Sequence, residues 1–466
     1  MNRITRYICS SVYDNYSLRE KIIDIIEDDY RIIADSYGIE IGEVIKHCYN
    51  AKRRDNRYYY LIFIILLLML IGILFSLEVL IPLGLLLILF FSIVHSYQFE
   101  KNILRKYFLN NSHSSHISTP SSSKIATLIN KKNNQISQNL VYYSFFSPFV
   151  GAGIELEGWS FAIDIDKGKE GSMMPPETFH EHELYTAVAN EIKSLKFQNL
   201  QILDKLYING SSIRNNRKLL PNIMGHPLNK ITSSEINVFK GIYNKNARYY
   251  QLFQISDWED ELVLNIFLRF FKNEKNLFIE LNYYLLTPTE KSYTKVDRIS
   301  EKLFSRDYFK ILFKSLFKVF VDSIRSILLI FNKIDELQYR VFHSGRDKKA
   351  YELRKQVKTN PEFNYGAEMS IRELISSKLY YQLFQKLDKE MYHKIIEKRI
   401  LNTINDFLEK KNIELKEFKE RQTNILNHGV IVTGGNLNTQ NLAIGKKAKN
   451  ITSTFQFKKL KTQTNN

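Results

Sequence analysis

Cysteine is scarce in this sequence, which limits how the chain can be held together. Only Cys9 and Cys48 occur among 466 residues, and they do not form a C-x-x-C pair. Two isolated cysteines cannot build a disulfide framework, so we expect a reducing compartment without structural disulfides. The chain begins MNRITR and stays polar, which predicts no N-terminal signal peptide.

Acidic residues are too few to balance the basic ones. The chain has 66 Lys and Arg against 49 Asp and Glu, a formal net charge of +17. This excess favours an acidic partner, either nucleic acid or an anionic membrane face. Hydrophobic residues at 44% and aromatic residues at 13% exclude wholesale disorder.

Motifs for catalysis and metal binding are also missing. The sequence has no G-x-S-x-G elbow, no Walker loop and no H-E-x-x-H pair. The nearest pattern is HEHE at residues 180–183, where side chains two apart on a helix point to different faces. Thr178 and Glu181 have the spacing of a capping box, so we interpret this stretch as a solvated first helical turn. We therefore expect no metal, no cofactor and no catalytic residue.

The longest hydrophobic run covers residues 58–99, where Glu78 is the only fully charged side chain. A helix needs about 20 apolar residues to cross a membrane, so this run has room for two. One continuous helix would be about 60 Å long, well beyond the hydrocarbon thickness. Pro82 suits the first turn of a second helix. The run therefore predicts a transmembrane helical hairpin, with a buried core hairpin as the alternative.

Basic residues flank this hairpin on both sides. They are Lys52, Arg53, Arg54 and Arg57 before it, and Lys101, Arg105 and Lys106 after it. Because positive loops stay in the cytoplasm, we predict a multi-pass membrane protein with both termini cytoplasmic. Part of the positive charge then meets the lipid bilayer and its anionic head groups. Nucleic acid is not an expected partner.

The rest of the chain divides by composition. Residues 1–57 predict amphipathic cytoplasmic helices, and residues 100–138 predict a juxtamembrane helix end followed by a Ser- and Asn-rich linker. Residues 139–425 predict a cytoplasmic α+β domain with flanking helices and an antiparallel sheet covered mainly on one face. Its strand-like runs are ARYYQLFQISDW, ELVLNIFLRFF and LFIELNYYLLTP. Residues 426–466 predict a partly disordered β tail punctuated by Gly and Asn, too small to stand alone.

A glycine stretch, SPFVGAG, opens this domain and ends in Gly151 and Gly153. A phosphate loop would continue into a helix, but here the alternating run WSFAIDI follows and predicts a strand. We therefore interpret the two glycines as turn residues required by the backbone and Trp159 as mainly a packing residue. Ligand contact by Pro148, Phe149, Gly151, Gly153 and Trp159 is the alternative interpretation.

A basic stripe follows the strands. Lys310, Lys314 and Lys318 recur every four positions within a stretch of Phe and Leu, which predicts an amphipathic helix. In a membrane-tethered protein this stripe could contact anionic lipid head groups at the bilayer surface. The alternative is a core helix with one solvated edge. Farther on, Ser370 and Glu373 have capping-box spacing and begin a predicted helical stretch that ends near Arg421.

Several of these motifs occur together and in order. The set of SPFVGAG with WSFAIDI, ELVLNIFLRF with LFIELNYYLLTP, NYGAEMSIREL and ERQTNILNHGVIVTGG resembles a family of uncharacterised bacterial transmembrane or hypothetical proteins of actinobacterial type. The resemblance covers about Leu140 to Gly445. In that family a V-Y-S-G-x-x-P-F-V-G-x-G motif precedes the W-S-F strand, and here Phe145 stands in place of one glycine. The resemblance implies a bacterial inner membrane, but no reaction or ligand.

Together these patterns predict a membrane-anchored, non-enzymatic module for binding, sensing or effector action. Its cytoplasmic domain would bind a ligand or partner, in a bacterial stress or conflict system. The C-terminal β tail would dock on this domain, add as a strand to a sheet edge of a protein partner or a second copy, or stay mobile. The alternative is a membrane-tethered enzyme of unknown reaction with its site near the Gly151–Trp159 turn, since catalytic groups can assemble from distant positions.

Overall fold

A mixed sheet organises the middle of the chain. We describe it from a computed structural model, which covers residues 1–77, 79–109, 123–169, 174–342 and 347–426. The strands are β1 Leu140–Tyr143, β2 Ile154–Glu155, β3 Trp159–Asp164, β4 Leu200–Asn209, β5 Ala247–Asp257, β6 Leu262–Lys272 and β7 Asn276–Leu286. Their order is β1-β4-β5-β6-β7, and both β2 and β3 pair with the outer side of β7. The three predicted strand runs are thus β5, β6 and β7, as adjacent antiparallel partners.

Two parts of the sheet prediction were wrong. The sheet is not purely antiparallel, because β1 pairs in parallel with β4, Leu140 standing opposite Leu206. It is not covered mainly on one face either, since side chains on both faces of β6 are buried. One face packs into the main core and the other carries Phe267 within an aromatic cluster. The fold is therefore α+β with a mixed sheet buried from two sides.

Helices surround the sheet and precede it. Their bounds are α1 Arg3–Ser11, α2 Tyr16–Glu27, α3 Ile41–Leu74, α4 Leu80–Gln98, α5 Ser123–Asn133, α6 Glu181–Lys193, α7 Ser233–Val238, α8 Ser305–Phe342, α9 Lys348–Thr359, α10 Ile371–Leu374, α11 Leu383–Lys410 and α12 Lys416–Leu426. A π-helical segment, Phe99–Leu109, continues α4 directly, and a 3-10 turn covers Lys295–Arg298. The predicted linker thus contains α5, and the predicted C-terminal helical stretch is divided among α10, α11 and α12. The predicted β tail lies outside the described residues, apart from its first position.

Two of these helices match the predicted hairpin. By length and composition, α3 and the helix from Leu80 through the π-helical segment are apolar enough to cross a membrane. They pack against each other, and a Cβ atom added at Gly84 would lie only 2.3 Å from Met69 Cγ. A larger residue at that position would force the two helices apart, so glycine permits their close approach.

The N-terminal helices form a second core with distant parts of the chain. It combines α1, α2 and the first turns of α3 with the π-helical segment, and it includes Val296, Ile371 and Ile375. A buried ion pair joins Arg19 to Asp55, at 2.7 Å between Nη1 and Oδ2. Helix α3 begins in this core and continues without a break into the apolar run.

One helix start was placed too early. The sequence predicted a cap at Thr178 with Glu181, but α6 begins at Glu181 and its N-cap is His180, whose amide donates to Glu183 Oε1 at 2.9 Å. The amide of Glu177 donates to the carbonyl of Lys411 at 2.9 Å, which holds the preceding segment against the end of α11. That contact keeps Glu177 outside the helix, so the helix is capped by His180 with Glu183 rather than by Thr178 with Glu181.

Candidate functional site

The glycine stretch is a tight turn packed against other backbone. Gly151 and Gly153 have φ values of +89° and +93°, in the left-handed region that L side chains avoid. A Cβ atom at Gly151 would lie 2.6 Å from the carbonyl oxygen of Asp35, and one at Gly153 would lie 2.2 Å from that of Leu285. Both positive φ and close backbone approach therefore require glycine here.

The amides of this turn already hold an anion that belongs to the chain itself. Gly151 and Gly153 each donate their backbone N–H to Glu373 Oε1 at 3.0 Å. The other oxygen, Oε2, accepts from the amide of Ser370 at 2.8 Å, which completes the predicted capping box of α10. Successive amides of this kind form anion-binding nests. With Glu373 in place, these two N–H groups are not available to a phosphate.

Phe149 is a packing residue at the centre of an aromatic cluster. It is buried and stacks on Phe267, with ring centroids 4.1 Å apart. Tyr207 and Tyr250 meet it edge-on at 5.1 and 5.0 Å. Pro148 contributes its carbonyl to the turn, accepting from Val150 at 3.0 Å. These contacts describe a scaffold that covers one face of the sheet.

Trp159 packs, as predicted, but it also takes part in a buried polar group. Its ring stacks on Phe161 at 5.2 Å, and its Nε1–H donates to Glu397 Oε1 at 2.9 Å and to Tyr283 Oη at 3.1 Å. Tyr283 in turn donates to the same carboxylate oxygen. Glu397 comes from α11, more than 200 residues away, so the sequence offered no local signal for this group.

Two lysines of the stripe contact an acidic side chain of the N-terminal region, while Lys310 and Lys314 remain exposed. Lys314 Nζ lies 2.9 and 3.0 Å from the two carboxylate oxygens of Asp14, and Lys318 Nζ lies 4.0 Å from the same carboxylate. Lys310 is exposed and forms no ion pair with the described residues. The interpretation of this stripe as a contact for lipid head groups stays a prediction. Lys314 already forms an ion pair with Asp14.

All three lysines line a cavity of about 190 Å³ beneath the hairpin. Its walls come from α3, α4, the π-helical segment, the loop at Asp14, the turn near Lys295 and the first half of α8. The charged lining consists of Arg54, Arg105, Lys295, Lys310, Lys314 and Lys318 against Asp14, Glu100 and Asp307. The walls therefore carry a formal excess of three positive charges.

The positive charge is unevenly compensated inside this cavity. Arg105 pairs with Glu100 at 2.8 Å and with Asp307 at 3.1 Å, so that side is neutralised. At the other side Lys314 and Lys318 share Asp14. Burial alone would raise the pKa of Asp14, but Lys314 and Lys295 outweigh it and hold that pKa below its ordinary value. Burial and the neighbouring Lys314 lower the pKa of Lys318.

Arg54 adds an unmatched donor to the same wall. Its Nε donates to Asp55 Oδ1 at 3.1 Å and its Nη2 to the carbonyl of Tyr13 at 3.3 Å. Its Nη1 is buried and has no hydrogen-bond partner among the described residues. Buried donors are nearly always satisfied in folded proteins, so this atom marks a place where an acceptor is missing.

The opposite face of α8 is apolar and exposed. It presents Phe309, Phe313, Leu316, Phe317, Phe320, Ile324, Leu328 and Phe331. The polar face of the helix meets the hairpin instead: Tyr308 stacks on Tyr97 at 6.1 Å, and Tyr58 Oη donates to Asp322 Oδ2 at 2.9 Å. The lysine edge lies between these two faces, with Lys310 and Lys314 exposed and Lys318 half-buried. The three-to-four residue spacing of Phe and Leu could have revealed the outer face from sequence.

Comparison with known families gives one match. The family model of the AbeC-like domain matches residues 158–440. This range begins just before β3 and includes α8, whereas the turn glycines and the apolar hairpin lie before it. No curated protein and no solved structure matches the chain. Within the described residues, no group of three or more His, Cys, Asp or Glu could hold a metal ion.

Proposed function

This chain belongs to the AbeC-like domain family, and we propose that it holds that domain at a membrane as a non-enzymatic binding module. The anchor is the hairpin of α3 and α4, and the membrane is the bacterial inner membrane with both termini in the cytoplasm. A role in a stress or conflict system, and a partner contact through residues 426–466, belong to the same proposal. They rest on the sequence alone.

One observation carries the proposal: α8 turns its polar face to the hairpin and its apolar face outward. This helix belongs to the family-matched range and packs on both α3 and α4. Its outer row of Phe and Leu is far more apolar than an ordinary exposed helix surface. Beside two helices able to cross a bilayer, hydrocarbon is the neighbour that this row fits.

The contacts of α8 also support a position at the base of the hairpin. Tyr58 begins the apolar run of α3 and Tyr97 lies at the end of that of α4, so both lie about 20 residues from the turn. Asp322 contacts Tyr58 and Tyr308 stacks on Tyr97. In this proposal α8 meets the hairpin where hydrocarbon gives way to head groups and continues along it, since Val319 and Leu329 pack on the apolar cluster of α3 and α4.

Site-directed spin labelling of the full-length protein in lipid nanodiscs tests this placement. Phe320→Cys lies on the outer face and Lys333→Cys lies on the charged second half of the same helix. The native cysteines, Cys9 and Cys48, are buried, so the unmutated protein reports background labelling. We expect the Phe320→Cys label to collide with dissolved oxygen and the Lys333→Cys label with a water-soluble nickel chelate. Equal access of the nickel chelate to both labels would contradict the proposal.

The alternative, an enzyme with its site near the Gly151–Trp159 turn, gains no specific support. The amides that would stabilise an oxyanion or phosphate there already bind Glu373. Trp159 donates to a buried carboxylate of α11. Both contacts are those of a structural turn, so we place the binding function elsewhere in the molecule.

A further inference from the structure

We propose that the cavity between α8, the π-helical segment and the base of the hairpin binds a phosphate-bearing anion. This site supplies the ligand class for the membrane-anchored module, and it rests on that proposed function only for the source of the ligand. A lipid head group and a soluble phosphate share the same chemistry at such a site. The walls contact either one through ammonium and guanidinium groups.

The first argument is charge. The lining carries three more cations than carboxylates, and the pairs of Arg105 with Glu100 and Asp307 use two of the three acids. The remaining acid, Asp14, is already held by Lys314 at 2.9 Å. Lys310 therefore has no ion pair within the described residues, and Lys318 has only the carboxylate of Asp14, at 4.0 Å and shared with Lys314. An anion between them would relieve the repulsion among the lysines.

The second argument is the fixed position of one of these cations. Arg54 lines the same wall as the lysines, and its buried Nη1 has no acceptor among the described residues, so its positive charge is not fully matched there. A guanidinium whose other nitrogens are bound to Asp55 and to the carbonyl of Tyr13 is fixed in orientation. Arginine and lysine together are the usual ligands of phosphate oxygens.

The third argument is position and size. Ser96 and Phe99 line the cavity, and they lie at the cytoplasmic end of the apolar run, where phosphate groups of lipids are found. The volume of about 190 Å³ far exceeds the roughly 10–15 Å³ that one water needs. A phosphate with its ester linkage fits such a space.

Direct binding to the full-length protein tests the site. In nanodiscs of neutral phosphatidylcholine, equilibrium dialysis measures binding of radiolabelled inorganic phosphate at fixed ionic strength. In detergent, native mass spectrometry measures how much phosphatidylglycerol the protein retains relative to phosphatidylcholine. Retention of phosphatidylglycerol alone identifies a lipid head group as the source, whereas binding of inorganic phosphate identifies a soluble one.

Variants distinguish binding in this cavity from non-specific attraction of anions to the positive charge of the protein. Lys318→Met and Lys310→Gln remove cations that lack a full partner, and Lys333→Gln removes a lysine of the same helix that does not line the cavity. We expect Lys318→Met to weaken binding by about tenfold or more and Lys333→Gln to leave it unchanged. Without ligand, Lys318→Met should unfold at the same or a higher temperature, because it removes a repelling charge.

Each outcome decides the proposal. Binding of either probe that is lost in Lys318→Met and kept in Lys333→Gln supports the site. Absence of both kinds of binding, or equal loss in all three variants, overturns it. The spin-label result on Phe320→Cys does not depend on these measurements, so failure of the anion site and failure of the membrane placement of α8 are distinguishable.

Discussion

The carboxylate of Glu373 accepts hydrogen bonds from three backbone amides. It accepts from Gly151, Gly153 and Ser370, and so it fixes the turn before β2 to the start of α10. Removal of the side chain would leave these donors without their acceptor, and unsatisfied buried donors cost about 1–3 kcal/mol each. At the scale of single residues, this carboxylate links the glycine turn to the C-terminal helices through three hydrogen bonds.

We predict that Glu373→Ala lowers the free energy of unfolding by about 2–4 kcal/mol. The matched control is Glu235→Ala, which removes the glutamate of another capping box, that of α7 with Thr232, but no glycine contact. Thermal unfolding of the full-length protein in one detergent compares the two. Equal shifts for both variants would mean that the glycine amides do not depend on Glu373.

The sequence revealed half of this arrangement. Ser370 and Glu373 have capping-box spacing and Gly151 and Gly153 have turn character, so both local features were predictable. The hydrogen bonds between the two features were not predictable. They join residues about 220 positions apart, and no local sequence pattern specifies the direction of the Glu373 side chain. The bond from Trp159 to Glu397 was hidden for the same reason.

At the scale of elements, local sequence patterns predicted the strands correctly where strands that are adjacent in sequence are also adjacent in the sheet. Strands β5, β6 and β7 follow one another through short polar turns, and alternation is enough to recognise them. The parallel pairing of β1 with β4 depends on a crossover that contains α6, and sequence patterns do not specify which strands a crossover joins. The contact of Lys314 and Lys318 with Asp14 could not be predicted for a similar reason, because Asp14 lies in another part of the chain.

A pH dependence follows from the contact of Asp14 with α8. Lys314 and Lys295 hold the pKa of Asp14 below its ordinary value, so this contact stabilises the fold above the unfolded pKa of about 3.9 and is lost as pH falls through the lower folded pKa. We predict that the unfolding temperature drops in that acidic range and that Asp14→Asn removes part of the drop. At neutral pH the variant should unfold at a lower temperature.

The control for this titration is Glu274→Gln, in the exposed turn between β6 and β7. It changes one carboxylate without an ion pair among the described residues. Circular dichroism during heating, at a series of pH values, measures both variants against the unmutated protein. If Asp14→Asn kept the full acid dependence, the ion pair with Lys314 would contribute nothing to folding.

At the scale of the whole molecule, the proposed anchor would determine which side of the membrane each part occupies. Both flanks of the hairpin are basic, so we predict that reporter fusions at Asn2 and at the C-terminus read as cytoplasmic. A reporter inserted after Leu77, between α3 and α4, should read as external and serves as the control. An external signal from either terminus would contradict the topology and, with it, the proposed placement of α8.

Composition alone predicted the pair of apolar helices, because an apolar run of this length is long enough for two membrane-spanning helices. It did not predict that α1 and α2 would share a core with Ile371 and Ile375 of α10 and the residue after it. These contacts connect the beginning of the chain to its last third. Hydrophobic periodicity identifies the face that is buried but not the element that covers it.

In the proposed membrane placement, the continuity of α3 would connect the bilayer mechanically to the rest of the protein. Its 34 residues form a rod about 51 Å long, of which the apolar part lies outside the N-terminal core and the remainder inside it. Helices tilt to match hydrocarbon layers of different thickness. A tilt of about 10° about Arg57 would swing Ile41 by about 4 Å. In that placement, a change in bilayer thickness would tilt α3 and thereby displace the core around Arg19 and Asp55, with the helix acting as a lever.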